Sequence, residues 1–227
     1  MLKWILVLAM TATASCKALA ISPTPLEHTP ANTEESSWME TEMNGIRVEM
    51  RTPKGWVAIT EHGLLLAEHT SSPDTGEVEV TVLIHCFVPP LDNFDLRRGA
   101  TRGNLALVVL EQVVTMPAMV EPSAVVSQPV GFDWDGHAAA YYLLTGEDGA
   151  KTIVIAVEAN RPDRLVVINV SMPASEESRV RDMLPEVLDQ MRINGVALDG
   201  GGLEILPDPL PFPTLDKIPN GAVSVLQ

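Results

Sequence analysis

The chain has 227 residues, 46% hydrophobic and 4% aromatic, with 30 acidic against 15 basic side chains and a net charge of −15. That length holds one domain with tails or two very small domains, and the apolar share supports a core of Val, Leu, Ile, Ala and Met. A surface this negative repels phosphate backbones, which excludes nucleic acid as the expected partner, and it argues against electrostatic docking on anionic lipid.

Residues 1–15 have the three parts of a bacterial signal peptide: Lys3 as the charged start, the apolar run Trp4 to Met10, and the small residues Thr11 to Ser15. The apolar run is too short to span a bilayer. Two processing schemes compete. Thr13-Ala14-Ser15-Cys16 has the small-residue pattern of a lipobox, with Thr13 where Leu is usual, and would leave Cys16 lipidated, for example with palmitate. Ala18-Leu19-Ala20 is an A-x-A site whose use would release a soluble protein without Cys16. Lipidation is the favoured reading, because Cys16 directly follows the apolar and small residues. Residues 16–43 then read as a spacer, with Pro23, Pro25 and Pro30 among Thr, Ser, Asn and Glu, too polar to fold alone. The expected location is the extracytoplasmic face of a bacterial membrane, reached through the N-terminal lipid, or secretion if cleavage follows Ala20. With Cys16 processed, Cys86 has no partner, so no disulfide framework is expected. Cys86 lies in an apolar run and reads as a small buried hydrophobe.

Residues 44–195 read as the globular domain. Ile46 to Met50 alternates apolar and polar, as a half-buried strand does. Thr52-Pro53-Lys54-Gly55 is a turn, and Trp56 to Ile59 and Leu64 to Glu68 are short strands. Glu77 to Val82 alternates again and runs on through Leu83-Ile84, and Pro89-Pro90 ends it. Thr101 is placed to cap a helix carrying Leu105, Val108, Val109 and Val113, stopped by Pro117. A meander follows: Val125 to Trp134, a hairpin turn at Asp135-Gly136, His137 to Thr145, a turn at residues 146–149, Lys151 to Ala159, and Leu165 to Ser171. Ser175 caps a second helix with an apolar stripe of Val180, Met183, Leu184, Val187, Leu188 and Met191, which Pro185 should kink or split. Residues 196–227, rich in Gly and Pro, read as an irregular, flexible tail. The fold class is α+β, an antiparallel sheet covered by helices.

This order of elements resembles the Mog1/PsbP-like superfamily, including its small bacterial lipoprotein members. The resemblance runs from Asn44 to Ile193 and is carried by Thr52-Pro53-Lys54-Gly55-Trp56, Gly136-His137-Ala138-Ala139-Ala140-Tyr141, Arg164 to Ile168 and Leu188 to Ile193. It implies an α-β-α sandwich around an antiparallel sheet. Known relatives bind GTPases or photosystem subunits or have no known role. They share no catalytic motif, so the resemblance carries over no functional residue.

The residues themselves offer few chemical constellations. His62 and His69 flank one strand beside Glu61 and Glu68, but no HxH, HExxH or CxxC spacing accompanies them or His28, His85 and His137, and neither metal nor cofactor is expected. His85 and Cys86 are neighbours on a strand and must face opposite ways, which prevents a thiol–base pair. Asp133 and Asp135 fit a hairpin turn better than a calcium loop, and Glu147-Asp148 should lie at the opposite end of the sheet. Trp38, Phe132 and Trp134 are the candidate interface aromatics, although in so aromatic-poor a chain such residues also serve the core. No catalytic residue is named. The expected function is a non-enzymatic, envelope-anchored binding or assembly module with a protein partner. The alternatives are a solute- or metal-binding lipoprotein and, behind it, an extracytoplasmic enzyme.

Overall fold

The computed structural model describes residues 38–215, apart from 61–62, 70–77, 90–102, 118–119, 121–122, 160–162 and 190. The expected signal peptide, Cys16, the expected cleavage site after Ala20 and most of the expected spacer lie outside the described residues, as do Thr101, His28 and His62.

Two antiparallel sheets form among the described residues. The small one has the order β1-β2-β11-β12, from Trp38–Met43, Ile46–Arg51, Arg192–Ile193 and Val196–Ala197. The large one runs β3-β4-β5-β10-β9-β8, from Trp56–Ile59, Leu64–His69, Val78–Phe87, Leu165–Met172, Lys151–Glu158 and His137–Thr145. Two short pieces, β6 (Val125–Val126) and β7 (Val130–Trp134), share the outer edge of β8. They are the two halves of the strand expected over residues 125–134. Between them the Leu143 N–H donates to the Ser127 hydroxyl at 2.9 Å, so a side chain replaces one rung of the ladder. The Asp135-Gly136 turn has positive φ at both residues (52° and 79°), the type I′ geometry that matches strand twist. Asp133 accepts from the Gly136 N–H at 2.9 Å and does no more than close that turn.

Strands β8, β9 and β10 are buried on both faces. On one face lies α1 (Leu105–Val113), which sets Leu105, Val109, Leu110 and Val113 against Ala140, Tyr142, Val154 and Ala156. On the other lie α2 (Glu177–Leu188), the inner face of the small sheet and a C-terminal segment. The domain is therefore α+β, with an antiparallel sheet covered on both sides. The stripe on α2 is as expected, with Val180, Leu184 and Leu188 at 0% exposure. Each such side chain contributes roughly 1.5–3 kcal/mol on burial.

Several boundaries differ from the sequence reading. The last six spacer residues, Trp38–Met43, are β1, because Met39 and Met43 pack on the core while Trp38, Glu40 and Glu42 face outward. Residues 196–213 are not a flexible tail. Leu198, Leu203, Leu206, Leu210 and Phe212 all belong to the core, and the Thr145 hydroxyl donates to the Pro213 carbonyl at 2.7 Å. The glycine triplet 200–202 allows this docking. None of the three has a positive φ, so what they supply is space. A Cβ on Gly200 would press into the Pro185 carbonyl of α2, and one on Gly202 into the Trp134 indole.

The helix starts also differ. At α1 the N-cap position is Asn104, whose side chain makes no capping hydrogen bond. The carboxylate of Glu158, at the end of β9, accepts from the N–H groups of Gly103 (2.9 Å), Leu105 (2.6 Å) and Ala106 (3.4 Å), which supplies both acceptors and a charge of the right sign. Ser175 lies in a 3-10 turn before α2 and does not cap it, and α2 continues unbroken through Pro185.

Candidate functional site

The outer face of the small sheet gathers an aromatic ring and several charges. In β2 the alternation sends Ile46, Val48 and Met50 inward at 0% exposure, which leaves Arg47, Glu49 and Arg51 outward. Antiparallel register sets Arg51 opposite Trp38, Glu49 opposite Glu40, and Arg192 of β11 on the other side of Glu49. Trp38 is 42% exposed, and two guanidiniums lie over its ring: Arg192 at 4.5 Å from the centroid and Arg51 at 5.0 Å. Contacts of this kind are worth about 0.5–1 kcal/mol each at exposed sites.

The ion pairs on this face are unevenly shared. Arg47 takes both Glu40 (2.8 Å) and Glu49 (2.5 Å). Arg192 is 4.0 Å from Glu49, beyond hydrogen-bond distance. Among the described residues Arg51 makes no ion pair. A cavity of about 290 Å³ opens here, bounded by Trp38, Met39, Glu40, Arg47, Glu49 and Arg192.

The other two interface candidates lie apart from it. Trp134, expected as an exposed aromatic, is 0% exposed, and its indole N–H donates to the Asp199 carbonyl at 2.7 Å. It anchors the C-terminal segment, because an amphipathic ring buried this deeply needs a polar partner for its N–H. Phe132 is half-buried and stacks on Trp134 (6.4 Å, 26°) and edge-on to Tyr141 (5.9 Å, 68°). Both aromatics serve the core.

A second polar group runs across the large sheet on the α1 side. Thr81, Ser171 and Thr152 stand in one cross-strand row, with the Thr152 and Ser171 hydroxyls 3.3 Å apart. Asn169 reaches His85 Nδ1 at 3.5 Å, and the buried His85 Nε2 has no hydrogen-bond partner. Burial holds the His85 imidazole neutral, lowering its pKa from 6.5 to about 4. Cys86, next in the strand, packs on the opposite face of the sheet, where burial pushes its thiol pKa up, away from a nucleophile's range. The side chain of His69 lies outside the described residues, and no group of three or more His, Cys, Asp or Glu placed to hold a metal occurs among those described.

No helix among the described residues is long and apolar enough to cross a membrane. No family model matches the chain, and no curated protein matches it. Among solved structures the chain is similar to the cyanobacterial PsbP (CyanoP) of Synechocystis sp. PCC 6803, with a TM-score of 0.43 and 12% identity over 71% of this chain and 95% of that one. It is also similar to the Ran-binding protein Mog1p of Saccharomyces cerevisiae, with a TM-score of 0.35 and 12% identity over 65% of this chain and 84% of that one.

Proposed function

We propose that the chain is an exported, lipid-anchored, non-enzymatic binding or assembly module of the bacterial cell envelope, whose partner docks on the outer face of the small sheet. The observation that carries this reading is Trp38. In a chain with 4% aromatics, a tryptophan left 42% exposed beside two arginines is the residue set that binding hot spots favour. It also opens β1, the strand made by the last six residues of the expected spacer, so the proposed anchor and the docking face belong to one end of the chain. Export and acylation are supported by the pattern of residues 1–16 and the proline-bearing spacer.

Two measurements test the proposal. Intact-mass analysis of wild type against Cys16→Ala should show acyl chains on the wild type alone, and an unacylated wild type starting at Ile21 would sink the lipid anchor. A pull-down from native membranes should recover a partner with wild type and lose it with Trp38→Ala. Recovery that ignores Trp38 would overturn the docking face.

One observation favours a second reading, an extracytoplasmic solute-binding lipoprotein. The buried His85 Nε2 without a partner, beside Asn169, is an unused polar group within a sheet. A thermal-shift screen of neutral polar solutes with wild type and His85→Leu would detect such a site. Identical responses from the two proteins would remove it.

A further inference from the structure

We infer that β3 is where a second copy of this chain pairs, the two β3 strands lying antiparallel about a two-fold axis at Ala58 and joining the two large sheets into one. This surface is separate from the Trp38 face, which belongs to the small sheet.

The first observation is an open edge. Among the described residues β3 is the last strand of the large sheet and pairs with β4 alone, so its other side presents a row of unpaired backbone N–H and C=O groups. Such edges are ordinarily guarded by charge, proline, a bulge or extreme shortness. The other described edges have a guard of this kind. Strand β1 carries Glu40 and Glu42 facing outward, β7 carries Asp133, and β6 and β12 are two residues long. Strand β3 reads Trp-Val-Ala-Ile, with neither charge nor proline, and its register against β4 is continuous.

The second observation is what that edge displays. Val57 and Ile59 are each 48% exposed, and alternation sets both on the same side of the sheet as Thr81. The rows behind them, Val57–Ala67–Thr81–Ser171 and Ile59–Leu65–Leu83–Asn169, cross four strands without a charged side chain. In a chain that is 20% charged with a net charge of −15, most faces of two copies would oppose like charges, and this one does not.

The third observation selects the occupant. Residues directly opposite in an antiparallel pair share a face. Centred on Ala58, the strand is complementary to itself: Val57 meets Ile59 of the second copy, twice by symmetry, Trp56 meets Thr60, and the small Ala58 side chain lies at the axis, the isologous arrangement of a two-fold dimer. Any other described edge of a second copy would bring a carboxylate to the pairing or offer only two residues. Four paired residues a side make a small interface, below about 1,200 Å², so the dimer forms reversibly rather than obligately. Each copy carries a charge of −15, so screening by salt strengthens the association.

Two experiments on the purified full chain test this. Sedimentation velocity between about 5 and 500 µM should show a monomer–dimer equilibrium that tightens with added salt. Val57→Lys and Ile59→Lys, both at exposed positions, should each weaken it ~10-fold or more, because an unpaired ammonium is set against an apolar side chain, while Glu42→Lys on β1 should leave it in place. The second experiment reads register by disulfide formation under a mild added oxidant. Two cysteines at position 58 would have Cα atoms about 4.5–5.5 Å apart, within the range a disulfide bridges. Ala58→Cys should therefore crosslink to a dimer well above the background that Glu42→Cys sets for Cys16 and Cys86. A mixture of Val57→Cys and Ile59→Cys chains should crosslink where neither does alone, since like positions are two residues out of register. A monomer throughout the concentration range would overturn the inference, as would association that weakens with salt or that both lysine variants leave intact. Ala58→Cys at the background rate, or Val57→Cys alone crosslinking as fast as the mixture, would equally overturn it.

Discussion

Gly202→Ala puts the packing of the C-terminal segment to a quantitative test. A Cβ at this position would lie 2.9 Å from Trp134 Nε1 and closer still to Cδ1. The ring cannot yield, because Trp134 is 0% exposed and Phe132 stacks beside it. The 3-10 turn Gly200–Ile205 must therefore retreat by about 1 Å to restore van der Waals distance. Overpacking of this kind costs about 1–3 kcal/mol. The retreat also pulls the Asp199 carbonyl from the Trp134 indole, now bonded at 2.7 Å, and strands a buried N–H at a cost of about 1–3 kcal/mol. The expected loss is about 2–6 kcal/mol, read by urea denaturation followed through tryptophan fluorescence. Gly201→Ala is the internal control. Its Cβ meets only the carboxylate of exposed Asp199, at 3.3 Å, so its cost should stay within about 1 kcal/mol, the helix-propensity scale. Gly202→Ala at wild-type stability, or Gly201→Ala as damaging as Gly202→Ala, would refute the claim that residues 198–213 are integral to the core.

Two further changes probe other parts of the fold. Glu158→Ala removes the acceptor of three N–H groups at the start of α1 and should cost about 2 kcal/mol, with Glu158→Gln at about half of that, and faster hydrogen exchange at Leu105 and Ala106; unchanged exchange there would refute the cap. His85 has its folded pKa lowered to about 4 from 6.5, so the unfolded chain binds a proton first as pH falls. The stability it contributes is complete above pH 6.5 and is lost progressively toward pH 4, about 3 kcal/mol in all. Stability of wild type should therefore fall more steeply than that of His85→Gln between pH 6.5 and 4, and parallel curves would contradict the burial of the imidazole.

What could be read from the sequence was whatever a local pattern encodes. The alternation of Ile46 to Met50, the Asp135-Gly136 turn and the stripe from Val180 to Leu188 each state their structure within a few residues and form as expected, while Met191, read as the end of the stripe, is buried beyond the helix end at Leu188. The C-terminal segment has no such period. Leu198, Leu203, Leu206, Leu210 and Phe212 are spaced by where each meets the core, so composition alone made them look like a tail. The cap on α1 escaped for a related reason, since its acceptor is on a strand 52 to 55 residues away. Of the candidate site only Trp38 was named from the sequence. Arg51 and Arg192 join it through antiparallel register across three strands, which no single stretch of chain reveals. The sequence reads Trp134 as an interface candidate, and the signal against that is the glycine triplet that makes room for its ring.

The central claim is that the Trp38 face of the anchored domain is where a partner binds. Site-specific photocrosslinking in intact envelopes tests it most directly, with the crosslinker placed at position 38 and, in parallel, at Asp148 in the turn between β8 and β9 and at Ile205, a large hydrophobic residue exposed elsewhere. The account predicts one discrete adduct from position 38, lost in R51A/R192A, and none from the other two. Adducts of equal yield from all three positions, or from Asp148 or Ile205 alone, would contradict it.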